Sequence, residues 1–365
     1  MAASFIRALF LFSPKIEIMN GRVKRCFFNK KIFLFFLGLF CTCFKLHPQS
    51  LDSTKKQSYD TTYIKTYNKS LTIAIPITTP FLKFILQDAK SGQSLNFAPN
   101  RQYDLGLGIN YKWFNIVLAT GVALQNNDNN TKGKTKYTDA QVHFNFRRFA
   151  NDVYYQDYKG FYVKNSKNYS GYVSNNPYEI RPDVKATLMA LNTNYIFNYK
   201  KFSYRNSFGF VETQLKSAGS ILAGVYYSYY AVNGDSGLIS QSFKPSFNSA
   251  SFIKNGATHT FGINVGYVYT LVITKGLYAT ASFVQGFGLN KTNYIRENET
   301  HYSGSINGAL KTNVRLAFGY DSGKFFMGGM AIYDFYYFES KSNSTFNFSN
   351  GKVQLFVGYR FNLKK

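Results

Sequence analysis

From about Ser70 onward, apolar and polar residues alternate with a period of two, and the pattern recurs in long segments down to the C-terminus. Side chains of a strand point to opposite faces in turn, whereas a helix repeats every 3.6 residues, so these segments are strands with one apolar and one polar face. Tyr103, Leu105, Leu107, Ile109, Tyr111 and Trp113 share one face, and Asp104, Gly106, Gly108, Asn110 and Lys112 share the other. The same division places Val314, Leu316, Phe318 and Tyr320 against Lys311, Asn313, Arg315 and Gly319. The last segment repeats it, with Val353, Leu355, Val357, Tyr359 and Phe361 against Gln354, Gly358, Arg360 and Asn362.

A soluble sandwich also alternates, so strand length and strand ends must decide. Soluble strands average about 5 to 6 residues, while a tilted strand crossing a bilayer needs about 9 to 11, which these segments reach. Aromatics make up 19% of the chain, 37 Phe and 30 Tyr among them, and they crowd the strand ends at Tyr154 and Tyr155, at 226–230 and at 333–338. Amphipathic rings at such places suit lipid headgroups. A face of Gly, Asn, Lys and Arg makes a poor sandwich core and a good lumen. The expected fold is therefore all-β, a transmembrane antiparallel up-and-down β-barrel of about 14 strands. Tight connections are expected at 321–324, 274–276, 199–201, 149–152 and Trp113, and long ones at 337–351, 290–307, 165–183 and 125–134. The opening strand, 70–86, is interrupted by Pro76 and Pro80, which could split it in two. The count of 14 requires a weak strand at 238–245; twelve strands remain if that stretch is a loop and a neighbouring pair merges.

Lys30 and Lys31 precede an apolar run from Ile32 to Phe44, too short to span as a helix and followed by polar residues. This is the plan of a cleaved signal peptide, so residues 1–49 are expected to be an export signal, with Met19 a candidate start ahead of Arg22, Lys24 and Arg25. Residues 50–69 read as a periplasmic lead-in and 70–365 as the barrel. Cys26, Cys41 and Cys43 are the only cysteines and all lie in the signal, so the exported chain has no thiol chemistry. The formal charge is +25. A surplus of this kind suits nucleic acid, anionic membranes or anionic solutes, and no nucleic-acid motif is present.

Little chemistry is written in the sequence. His143, His259 and His301 are not at ligand spacing, so neither a metal nor any other cofactor is expected. The glycines at 106–108, 286–288 and 328–329 lie inside strands, where Gly marks a bend or a slot for an aromatic ring rather than a phosphate loop. Lys216 to Ser220 reads as a tight loop of small polar residues. An outer-membrane lipase needs an activated Ser, and none can be paired with the outward-facing His259, so no catalytic residue is assigned. The inward faces say more. Lys112, His143, Arg147, Arg205, Lys311, Arg315 and Arg360 are the candidate lumen-facing residues, with Lys185 on the same side and Glu212 and Asp104 as the few inward acids. Such a basic interior admits two readings: a positive lining that favours anions, or Arg and Lys hydrogen-bonded across a packed interior.

The strings Asp60 to Tyr67 (DTTYIKTY), Leu105 to Trp113, KGKTKY at 132–137, Arg181 to Asp183, Lys201 to Arg205 and Lys216 to Ser220 add a further indication. In this order they resemble an uncharacterised family, a domain of unknown function, of exported barrel proteins from Gram-negative bacteria, from about Asp60 to Phe361. The resemblance implies an outer-membrane location and a barrel, and brings no active-site residue with it. Resemblance to other outer-membrane barrels also implies that Leu355, Val357, Tyr359 and Phe361 form a terminal signal read by the barrel assembly machinery. The expected partners are outer-membrane lipid and that machinery, with no nucleic acid. The expected function is a passage for small, preferably anionic solutes. The alternative is a non-conducting structural or surface-interaction barrel whose long loops, 165–183 and 290–307, bind a partner.

Overall fold

The computed structural model describes residues 58–362, apart from 68–69, 102, 112–113, 122–127, 210 and 339–343; the side chains of 110–127 are also undescribed. The expected signal peptide, half of the lead-in and Lys112 lie outside the described residues. The strands are β1 (Ile64–Thr66), β2 (Ser70–Asp88), β3 (Ser94–Ala98), β4 (Asp104–Tyr111), β5 (Phe114–Gly121), β6 (Lys136–Asn145), β7 (Phe149–Val163) and β8 (Glu179–Ile196). They continue as β9 (Glu212–Gln214), β10 (Ala218–Asn233), β11 (Ile253–Thr274), β12 (Leu277–Arg296), β13 (His301–Asp321), β14 (Phe325–Phe338) and β15 (Ser344–Asn362). Among the described residues two short α-helices, α1 (Asn129–Lys132) and α2 (Tyr204–Gly209), accompany them.

Thirteen strands form one antiparallel sheet, and it closes because β15 pairs with β2 from Ser344↔Asp88 to Asn362↔Ser70. The ring closes through the short β3, which pairs with β2 on one side and with β7 on the other, while β5 pairs only with β4 and β6 only with β7. The closed ring runs through ten strands, from β15 by way of β14, β13, β12, β11, β10, β8, β7 and β3 to β2, with β4 and β5 continuing from β2 and β6 pairing with β7 outside it. The stretch 238–245 is not a strand: it forms turns leading into a 3₁₀ turn at Lys244–Ser246. Parity survives because 197–217 is not a transmembrane strand either.

β2 runs through both prolines without a break. Pro76 falls where its ladder with β4 skips from Ala74↔Gly108 to Ile77↔Leu105, and Pro80 falls between the end of that ladder at Thr78 and the start of the β3 ladder at Phe84. A residue without an N–H is tolerated where a ladder is already interrupted. The long connections expected at 290–307 and 337–351 are mostly strand, since β12 pairs with β13 from Leu277↔Tyr320 up to Ile295↔His301 and β15 starts at Ser344.

The alternation sorts as expected. Ile75, Ile77, Leu105, Leu107, Ile263, Val265, Phe283, Leu316, Phe318, Leu355 and Val357 are exposed on the outside, and the polar face points inward. No helix of the described residues is long and apolar enough to cross a membrane.

Candidate functional site

The barrel interior holds three layers of side chains, and the sequence-derived candidates sit in the lower two. At the end away from the chain termini the layer is aromatic. Phe84, Tyr230 and Phe348 pack with ring centroids 4.3 Å apart for Tyr230–Phe348 and 6.0 Å for Phe84–Phe348. Residues 234–252 fold down onto this layer, burying Leu238, Ile239 and Phe243 completely. Arg181 fastens the cap by donating to the carbonyls of Gly237 and Leu238 while it pairs with Asp183 at 2.8 Å.

The middle layer is polar and charged. Arg315 on β13 donates through Nη1 and Nη2 to Asp152 Oδ1 and Oδ2 on β7, at 3.2 and 2.5 Å, although four strands separate these two around the barrel. His143 Nδ1 lies 2.7 Å from the same carboxylate. Lys311 reaches Asp334 Oδ1 at 3.5 Å and, across the lumen, Asn192 Oδ1 on β8 at 3.3 Å, with its ammonium over the rings of Tyr226 and Tyr336. Tyr230 Oη on β10 donates to Asn350 Oδ1 on β15 at 3.1 Å, another bridge between distant walls. Arg315 is 1% exposed, and Lys311 and Arg360 are 2% exposed.

The lowest layer is assembled from inserted chain. After β8 the backbone turns back into the lumen, where α2 buries Tyr204 and Phe208, and β9 pairs with β1. The DTTYIKTY string thus forms part of a plug near the mouth beside the termini. Asp60 opens it with a turn in which its carboxylate accepts from the Thr62 hydroxyl and amide at 2.8 and 2.9 Å, contacts that hold its pKa below the ordinary carboxylate range. Glu212, fully buried, takes Arg147, Arg205 at 3.0 Å and the Ser203 hydroxyl at 2.5 Å. The Arg147 guanidinium also covers the Tyr59 ring at 4.4 Å. Arg360 donates from Nη1 and Nη2 to Asp321 at 2.7 and 2.9 Å and lies 4.1 Å over Tyr67.

Of the lumen-facing candidates, His143, Lys311, Arg315 and Arg360 project inward from strands, and Arg147 projects inward from the turn after β6. Arg205 belongs to α2 rather than to the wall. Lys185 corrects the expectation: it is exposed on the outer face and paired with Asp157 at 3.0 Å. The expectation of few inward acids is corrected as well. Asp139, Asp152, Asp321 and Asp334 all face the lumen; the last three pair with its cations and Asp139 accepts from the Tyr158 hydroxyl. Asp152 and Asp321 fall in stretches that read as tight turns, and Asp334 in an aromatic run. The missed signal was phase, because Asp152 is in step with Tyr154, Gln156 and Tyr158.

Of the glycines expected to form slots, Gly286 and Gly288 do so, and Gly262, which was not among those expected, joins them. Tyr226 lies against Gly262, Gly286 and Gly288, where an added Cβ would come within 2.5, 2.9 and 2.7 Å of its ring or hydroxyl. On the outer face His259 Nδ1 is 2.9 Å from Tyr227 Oη. Leu355, Val357, Tyr359 and Phe361 lie exposed along the outside of β15.

Residues 58–361 match the family described as a domain of unknown function, DUF4421. The comparison with curated proteins finds no match. Among solved structures, the translocator domain of the autotransporter NalP from Neisseria meningitidis is similar at 10% identity and a TM-score of 0.32, covering 91% of this chain and 97% of that one. Ail, the attachment invasion locus protein of Yersinia pestis, is similar at 9% identity and a TM-score of 0.23, over 81% of this chain and 100% of that one. A loop-deletion mutant of OmpT, an outer membrane protein of Vibrio cholerae, follows at 9% identity and 0.26, over 80% and 99%. Scores this low transfer neither substrate nor partner.

Proposed function

The chain belongs to the DUF4421 family of unknown function, and for this outer-membrane barrel we propose the role of a closed, non-conducting surface barrel rather than an anion passage. The observation that carries the reading is the Arg315–Asp152 ion pair, which bridges distant walls at mid-lumen. Rings of Arg and Lys attract anions only while their charge is uncompensated. Here each described lumen cation that was a candidate for such a lining faces a carboxylate, and the aromatic layer above and the inserted chain below fill the same axis. Among the described residues, the loops available to a partner are 164–178 and the cap at 234–252.

Planar-bilayer recording of the purified barrel tests the proposal. The wild-type protein should insert without conducting, and Arg315→Glu should not create an anion-selective pore that the wild type lacks. Steady wild-type channels with anion preference, reduced by Arg315→Glu or Arg147→Glu, would restore the passage reading.

A further inference from the structure

On the outer face, three lysines stand side by side on adjacent strands. Lys136 on β6 is the register partner of Lys159 on β7, and Lys159 is the register partner of Lys185 on β8. All three are exposed. Like charges placed directly opposite across a ladder are destabilising, so the row works against the sheet unless something outside the chain neutralises it. Among the described residues the acid that meets the row is Asp157, which binds Lys185 at 3.0 Å and also accepts from the Thr187 hydroxyl at 2.7 Å. One carboxylate cannot balance three ammonium groups.

The row is held in place by a built feature. Gly160, next to Lys159, has φ +93°, and an added Cβ there would lie 2.3 Å from the Lys134 carbonyl oxygen. The buried Thr135 hydroxyl donates to the Gly160 carbonyl at 2.7 Å, pinning the KGKTKY string against the bulge. Height is fixed by the same strands. Four residues below the lysines, in phase with them, lie Ala140, Tyr155 and the buried Met189, followed by Val142, Val153 and Leu191 where the apolar outer surface begins. Four residues along a tilted strand rise about 10 Å, which sets the lysines above the hydrocarbon, at the level of headgroup phosphates. The row lies at the end of the barrel away from both termini, the end that faces outward when the termini are periplasmic.

We propose that Lys136, Lys159 and Lys185 form a binding strip for the phosphates of a phosphorylated glycolipid of the outer leaflet. The inference rests on the outer-membrane placement stated above and not on whether the lumen conducts, so wild-type channel activity would overturn the closed-barrel reading and leave the strip standing.

The test uses the folded barrel in phosphatidylcholine nanodiscs carrying either bisphosphorylated lipid A or the same lipid A with both phosphates removed, with retained glycolipid counted by native mass spectrometry. The phosphorylated form should be retained and the dephosphorylated form lost. The triple variant Lys136→Gln, Lys159→Gln, Lys185→Gln should keep its heat-modifiable gel mobility while its apparent affinity falls at least tenfold. Asp157→Asn, which removes the competing acid, should bind at least as tightly as the wild type. Equal retention of the two lipids, a folded triple variant that binds like the wild type, or full displacement by millimolar inorganic phosphate would overturn the proposal. Should the triple variant not fold, the pair of lipids on the wild type and the Asp157→Asn variant decide the question.

Discussion

Arg315 and Asp152 meet at mid-lumen with their charges out of reach of water, and a buried pair of this kind behaves asymmetrically on mutation. Removing one partner strands the other charge at a cost of roughly 3 to 5 kcal/mol, while a well-packed apolar replacement of both is far milder. Arg315→Ala and Asp152→Ala should therefore each lower the urea midpoint of the detergent-refolded barrel. The double variant should lose much less than the two effects added, which a double-mutant cycle reads directly. Gly286→Ala should also destabilise, by about 1 to 3 kcal/mol, because the new methyl drives into the Tyr226 ring; pairing it with Tyr226→Leu should recover part of the loss. The cations of this network were legible in the sequence because they fall in phase inside clear alternating segments, as Lys311 and Arg315 do beside Val314 and Leu316. Their acids were not, since Asp152 and Asp321 look like turn residues until β7 is known to start at Phe149 and β13 to run to Asp321. Which wall an inward side chain reaches is a property of closure, and a period of two carries no information about it.

The strands were legible as elements, and their connections only in part. Periodicity identifies β11 and β13 well, yet it cannot tell a loop rich in Asn and Ser from a hairpin that continues above the membrane, as β12 and β13 do. Residues 197–217 were the harder case. They hold a six-residue helix and a three-residue strand, each too short for its period to register, and their burial comes from the surrounding wall rather than from a pattern of their own. The terminal strand makes a prediction at this scale. β15 is bonded to β14 on one side and to β2 on the other, so it is the element that closes the barrel. Deleting 353–361 should abolish insertion and the heat-dependent gel shift, leaving two long unpaired edges. A truncated protein that still migrates as a folded, heat-modifiable species would show that closure and assembly do not depend on it.

Taken as one object, the molecule is a wall of apolar side chains around an interior whose charges cancel in place, and this predicts behaviour even when the interior is forced open. Two structures obstruct the axis independently: the cap at 234–252, anchored through Arg181, and the plug made of 58–67 with α2 and β9. Shortening the cap to a Gly-Ser link should leave conductance absent, because the plug remains. Removing 58–67 as well frees the lower mouth and takes the Tyr59 and Tyr67 rings away from Arg147 and Arg360, and the doubly shortened barrel should begin to pass ions. Its selectivity is the informative quantity. A lumen with unpaired Lys and Arg would give a strong anion preference that collapses with rising salt. The observed lumen keeps Asp152 against Arg315, Asp334 against Lys311 and Asp321 against Arg360 whether or not cap and plug are present, so the anion to cation permeability ratio should lie near unity. Neutralising the acids alone, with Asp152→Asn and Asp334→Asn in the opened barrel, should then turn it anion-selective. A strongly anion-selective current from the opened barrel before those substitutions would mean that the acids do not cancel the basic lining, and would return the weight to a passage for anions.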